Sequence, residues 1–326
     1  MADIRRWLAW CVVGLTILIG VPAGAQGYPN KPIKIVAPFA PGGGSDVIGR
    51  VIAERLAKNW GQPVIVENRP GAGGSIGTEF VANSPADGYT LLITDASSVI
   101  INPYIYPKLG YTAKNFTPVV NLAELTLVML VPVKSPINTL ADVIAAEKAK
   151  PGSLSGASPG AGSTPHLMLE MMNSMAGTKL VHVPYKGGGP AINDLVAGHV
   201  DFSFSGLSSQ AMSLISGGRL KAVFVTTRER NASLPAVPTL AESGFPGAEF
   251  IAAISLLVPA GTPPEIVAKL HQEVVRILAT PEVKARWKES GYLPREPQSP
   301  AQTGAWFSKE IEGWSKFIKE KNIVAE

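Results

Sequence analysis

The stretch Ile33-Lys34-Ile35-Val36-Ala37-Pro38-Phe39-Ala40-Pro41-Gly42-Gly43-Gly44-Ser45-Asp46 decides how the chain is read. Ile33 to Pro38 is short, apolar and β-branched, the pattern of a buried strand. Gly42-Gly43-Gly44-Ser45 breaks it. From Asp46 to Asn59, Val47, Val51, Ile52 and Leu56 recur at helical spacing, and Ser45 is a fitting N-cap. The unit is strand, glycine loop, helix. It recurs at Val64 to Glu67, with Pro70-Gly71-Ala72-Gly73-Gly74-Ser75 and a helix through Ala82. It recurs again at Leu154 to Ala157, with Gly160-Ala161-Gly162-Ser163 and a helix from Thr164 to Met175. A fourth copy is Leu180 to Val183, with Gly187-Gly188-Gly189-Pro190 and a helix to Ala197. Further strands are expected at 89–94, 125–133, 201–205 and 221–226, and a helix at 140–148. Two long helices close the chain, one opening at Thr262-Pro263-Pro264 and one running from about Pro300 to Lys319.

This repetition predicts an α/β fold with parallel sheets and helices on both faces. Ligands of such sheets sit beyond the carboxyl ends of the strands, where helix N-termini point. The glycine loops form two similar pairs, 41–46 with 70–75 and 158–164 with 186–190. The echo predicts two α/β lobes facing each other across a cleft. Two crossover connections are expected near 121–126 and 248–254. They assign 26–124 and 252–326 to lobe 1 and 125–251 to lobe 2.

The chain has 326 residues, 46% hydrophobic and only 17% charged. That excludes a disordered solvating chain and a coiled coil. A net charge of +4 without a Lys/Arg run interleaved with aromatics gives no support for nucleic acid as a partner. Arg5 and Arg6, the apolar run Trp7 to Gly20 and the ending Val21-Pro22-Ala23-Gly24-Ala25 read as a secretory signal peptide over 1–25. The sole cysteine, Cys11, lies within it, so the expected mature chain has no disulfide, thiol nucleophile or thiolate metal site.

Glycine at a helix start lets a ligand approach main-chain N–H groups that lack a helical partner and carry partial positive charge. A carboxylate or phosphate is the natural guest. No loop has the lysine of a P-loop, and none completes G-x-G-x-x-G, so no nucleotide or other cofactor is expected. Gly156-Ala157-Ser158-Pro159-Gly160 matches the G-x-S-x-G elbow of hydrolases. In that elbow the residue after the serine donates an N–H to the oxyanion hole, and Pro159 has none. No catalytic residue is therefore assigned, and a secreted α/β hydrolase using Ser158 or His166 is the disfavoured alternative. The four histidines lack metal-site spacing, so no metal is expected. His166 follows the Ser163-Thr164 cap and could orient the loop. Lys186 and Asp46 flank glycine loops and could face the cleft.

The order of motifs resembles the Bug (TctC-like) family, the extracytoplasmic solute receptors of tripartite tricarboxylate transporters. The resemblance rests on Tyr28-Pro29, Pro32 to Val36, Pro38 to Asp46, Val66 to Gly74, Pro85-Ala86-Asp87-Gly88-Tyr89-Thr90-Leu91, Pro184-Tyr185-Lys186-Gly187, Gly261 to Pro264 and the helix around Trp314. It implies a periplasmic-binding-protein-like α/β fold of two lobes around a ligand cleft, and a non-enzymatic periplasmic receptor, a monomer, closing on a small carboxylate and delivering it to a large and a small membrane subunit. A receptor serving a two-component sensor is the alternative. By position, the resemblance implies that Phe39, Ala40, Gly43, Gly44, Ser45, Asp46, Ser97 and Ser98 contact ligand from the first lobe. From the second it implies Ser158, Gly162, Ser163, Thr164, His166, Tyr185, Lys186, Gly187 and Ser205. Many members carry aspartate where this chain has Ser205-Gly206, which removes an acceptor for a ligand ammonium.

Overall fold

The computed structural model describes residues 27–248 and 251–325, so the expected signal peptide lies outside the described residues. Its strands are β1 (Ile33–Ala37), β2 (Val64–Asn68), β3 (Thr90–Asp95), β4 (Phe116–Pro132), β5 (Ser155–Ser158), β6 (Val181–Pro184), β7 (Phe202–Gly206), β8 (Leu220–Val225), β9 (Ile251–Pro259) and β10 (Tyr292–Leu293). The helices are α1 (Gly44–Trp60), α2 (Ser75–Ala82), α3 (Ser97–Ile100), α4 (Asn102–Ile105), α5 (Leu140–Ala149), α6 (Thr164–Ala176), α7 (Gly188–Ala197), α8 (Ser209–Ser216), α9 (Pro264–Leu278), α10 (Pro281–Glu289) and α11 (Pro300–Lys321).

The local signals produce these elements as physical chemistry requires. In α1, Ile48, Val51, Ile52 and Leu56 form one buried stripe, and Gly61 ends the helix in the left-handed region. The helix starts earlier than its sequence suggests. Gly43, not Ser45, occupies the N-cap position, and Ser45 is buried in the first turn. The loop is held instead by Asp46, whose Oδ2 accepts from the Gly42 N–H at 3.0 Å.

The strands follow the order β2-β1-β3-β9-β4-β7-β5-β6, with β10 and β8 also pairing β4. The β1, β2 and β3 pairings are parallel, as are those of β5 with β6 and β7. The expectation of purely parallel sheets needs correction, because β4 pairs β7, β8, β9 and β10 antiparallel. The reason is directional. β4 pairs β9 over Phe116 to Thr126 and then β7 and β8 over Leu127 to Pro132, so it runs from one lobe into the other. β9 brings the chain back, and two neighbours that run opposite ways can only pair antiparallel. At about 3.4 Å per residue this one strand is roughly 55 Å long.

A third closing helix, α10, stands between the two expected ones. It begins with Pro281 in its first turn and buries Val283 and Trp287. The Trp287 Nε1–H donates to the Leu122 carbonyl at 3.1 Å, which fastens this helix to the long strand. The second lobe is centred on Phe202, Phe204 and Phe224, all buried, with ring centroids 5.3 and 6.0 Å apart.

Phe224→Ala should therefore cost about 3–5 kcal/mol in urea unfolding. Ile65→Ser, on the open β2 edge where Ile65 is 60% exposed, should stay within about 0.5 kcal/mol.

Candidate functional site

Both lobes turn the carboxyl ends of their parallel strands toward one cavity. Its volume is about 50 Å³, room for roughly three to five waters at the usual 10–15 Å³ each. Four helices begin at its wall. α1 contributes Gly44 and Ser45, α7 contributes Gly188 and Gly189, α6 contributes its N-cap Ser163 with Pro165, and α8 contributes its N-cap Ser208. First-turn amides have no partner inside their own helix, and each N-terminus carries about half a positive charge. Phe39, Leu125, Ile254 and Tyr292 supply an apolar side. Among the described residues lining the cavity there is no lysine, arginine or histidine.

One lining residue is acidic. Asp95, at the end of β3, is buried, and its Oδ1 accepts from the Ser97 N–H at 3.0 Å and the Thr164 hydroxyl at 2.8 Å. Burial pushes its carboxyl above the usual range, against the opposing pull of these hydrogen bonds. The Thr164 bond also joins the lobes. So do others, among them the Ala40 N–H, which donates to the Lys186 carbonyl at 3.2 Å, and the Tyr106 hydroxyl, which donates to the Ala161 carbonyl at 2.8 Å. The cleft is closed.

Closure explains two of the glycines. Gly73 has φ +58°, and a Cβ there would stand 1.8 Å from the Ala161 carbonyl oxygen. Gly162 has φ +81°, and a Cβ there would stand 2.2 Å from Asn102 Oδ1. Side chains at these positions would hold the lobes apart. The loops read as ligand cradles thus also serve as the lobe-to-lobe seam.

Of the residues expected at the site, Phe39, Gly43, Gly44, Ser45, Ser163 and Ser205 line the cavity. The others stand behind it or beside it. Ala40 and Gly187 meet at the seam, where a Cβ on Gly187 would lie 2.8 Å from the Ala40 Cβ. Asp46 is directed to its own loop and to Arg50 at 2.8 Å. Burial alone would raise its carboxyl, but the Arg50 guanidinium and the Gly42 amide together hold it below the usual range. Ser98 accepts from the Thr78 hydroxyl at 3.0 Å behind the wall, and Ser97 orients Asp95. Thr164 also binds Asp95. The Tyr185 hydroxyl donates to Asp194 Oδ2 at 2.7 Å, and Lys186 is exposed.

Ser158, Gly162 and His166 form a support under the α6 loop. His166 Nδ1 accepts from the Gly162 N–H at 3.1 Å. Its ring stacks on His182 at 4.0 Å, and His182 Nε2 shares a 2.6 Å hydrogen bond with Ser158 Oγ. Ser158 is fully buried, so the serine–histidine contact braces the loop and does not face a substrate. The sequence reading missed Asp95, Tyr292, Leu125, Ile254 and Ser208. Only Ser208 carried a local signal, a serine between a strand and a helix.

The fold and cavity define a two-lobed solute-binding protein. The family model described as "Tripartite tricarboxylate transporter family receptor" matches residues 48–323. The chain is 35% identical to Protein BugT of Bordetella pertussis over 98% of each chain. Its structure superimposes on an R. palustris protein solved with adipate at a TM-score of 0.86, with 33% identity over 92% of this chain and 100% of that one. It superimposes on MatC from Rhodopseudomonas palustris with bound malate at 0.83, with 32% identity over 89% and 99%. The chain belongs to the tripartite tricarboxylate transporter receptor family, a family of periplasmic solute-binding proteins.

The buried histidines make stability depend on pH. Burial holds His166 at about 4, and burial together with neighbouring His166 holds His182 at about 3. Unfolded histidine takes up its proton near 6.5. These groups therefore add stability above pH 6.5 that is lost as pH falls through 4 and 3. Between pH 7 and 4.5, His166→Gln/His182→Gln should show a drop in Tm smaller than wild type by roughly 5 °C in calorimetry.

Proposed function

We propose that the chain is a periplasmic receptor that captures one small organic carboxylate per monomer between its lobes, 26–124 with 252–326 against 125–251. It delivers this cargo to the large and small membrane subunits of a tripartite tricarboxylate-type transporter and performs no chemistry on it. The observation that carries the reading is the meeting of four helix N-termini in a cavity with no basic side chain among its described lining residues. Such a site offers an anion several directed amides at once. It also has an apolar side for a short carbon chain and, at Asp95, an acceptor for a donor at the ligand's far end. A hydroxyl or a protonated second carboxyl meets that requirement. Malate and adipate, bound by the two Rhodopseudomonas relatives, are acids of this kind.

The hydrolase alternative loses support here. Ser158 is enclosed, and the residue following it is a proline without an N–H. Among the described residues no group of three or more potential ligands is placed to hold a metal. No helix of the described residues is long and apolar enough to cross a membrane.

Native mass spectrometry of protein purified without refolding should show one copurified acid per chain. Calorimetric titration with acetate, lactate, succinate, malate, adipate and citrate should then give at least one Kd of 1 μM or tighter, about −8.2 kcal/mol. Absence of heat and of any Tm shift with all six would refute the carboxylate reading.

Variants separate amides from side-chain charge. Lys186→Ala removes an exposed cation outside the lining and should weaken the tightest acid by less than about 1 kcal/mol, or fivefold. Gly44→Val places carbon where a Cβ already approaches Ile254 Cδ1 at 2.8 Å, at the cavity wall. It should lose at least about 100-fold in affinity by titration while its circular dichroism stays native, since the nearest atom it meets is the free end of the Ile254 side chain.

A further inference from the structure

One lining residue that no glycine loop supplies is Tyr292, on β10. It is only 1% exposed, and its hydroxyl has no hydrogen-bond partner. A buried hydroxyl without a partner costs about 1–3 kcal/mol, so its persistence asks for a reason. Its position suggests one. Tyr292 lines the cavity, and a Cβ on Gly44, the first residue of α1, would lie 3.6 Å from its hydroxyl. The hydroxyl therefore stands beside the first-turn amides that would receive an anion.

The side chain is fixed there. β10 pairs with β4 through Tyr292 and Leu125, and the Tyr292 ring meets Trp287 edge-on at 6.3 Å and 88°. Trp287 is itself tied to the Leu122 carbonyl. A donor held in one place among apolar neighbours loses little entropy when an acceptor arrives. Burial, with Asp46 nearby as a lesser cause, raises the phenol's pKa further, so it keeps its proton.

We propose that the Tyr292 hydroxyl donates a hydrogen bond to the ligand's carboxylate beside the α1 amides and so helps select carboxylates over neutral isosteres. This rests on the carboxylate reading above. The second lobe and the α1 loop then grip the same anion together with a residue from the far end of the chain. Because β10 pairs β4 at Leu125 and Glu124, where that strand passes from one lobe to the other, the donor sits beside the seam.

The test is Tyr292→Phe, which deletes one oxygen and keeps the ring. Removing an unpartnered buried hydroxyl should leave the ligand-free Tm unchanged or raised. Titration with the same six acids should show the tightest wild-type binder weakened 10- to 100-fold. Succinamide, the neutral isostere of succinate, should bind the variant and wild type within twofold of each other or not at all. Wild-type binding with unchanged affinity in the variant overturns the proposal and leaves the carboxylate reading standing. Affinity lost together with several degrees of ligand-free Tm assigns Tyr292 a structural role and also overturns it. If wild type binds none of the six acids, the carboxylate reading fails and this proposal falls with it.

Discussion

A carboxylate leaving water gives up strong hydration, and a protein cavity holds it only if enough donors replace that shell. In the proposed reading the cavity answers this requirement with main-chain dipoles. Four helices start at its wall, and no basic side chain among the described lining residues shares the task. Amides at helix starts are fixed by the helix behind them, so little reorganisation accompanies binding. The remaining architecture serves this arrangement. Parallel strands of both lobes point at the cavity, and the helices that follow β1, β5, β6 and β7 begin at its wall.

Such a site works only when the lobes meet, because α1 belongs to one lobe and α6, α7 and α8 to the other. The seam joins backbone carbonyls and amides with a few side chains. The Ala40 N–H donates to the Lys186 carbonyl and the Tyr106 hydroxyl to that of Ala161, while glycine at 73 admits the Ala161 carbonyl and glycine at 162 the Asn102 side chain, closer than any Cβ would permit. Asp95 links the two tasks. It receives the Thr164 hydroxyl across the cleft and forms part of the cavity wall. Ser205-Gly206 puts no acid at the end of β7, and the cavity takes its acid from β3 instead.

Much of the fold was legible because strand, loop and helix are local patterns. The buried stripe of α1, the capped start of α6 and the proline-led closing helices follow from residues a few positions apart. The first half of β4 was not legible. Pro118, Asn121 and Glu124 interrupt its apolar run, and what makes it a strand is β9, to which Asn121 is tied by the Ser255 hydroxyl 134 residues away. The glycine loops pointed to the cavity, but not to which residues face it. Asp46 looked like a ligand group and is used by its own loop. Asp95 and Tyr292 carry no motif, and their places come only from the pairing of β3 and β10 within the folded sheet.

The central claim is that helix-start amides, not a side-chain cation, hold the ligand. Amide and side-chain NMR of uniformly ¹⁵N-labelled protein, titrated with the tightest of the six acids, reads this directly. The account predicts downfield displacement of amide protons among Gly44, Ser45, Gly188 and Gly189, in both lobes at one stoichiometric point, with the Lys186 ammonium unmoved. Displacement concentrated at Lys186 or at arginine side chains, with those four amides unchanged, would contradict it.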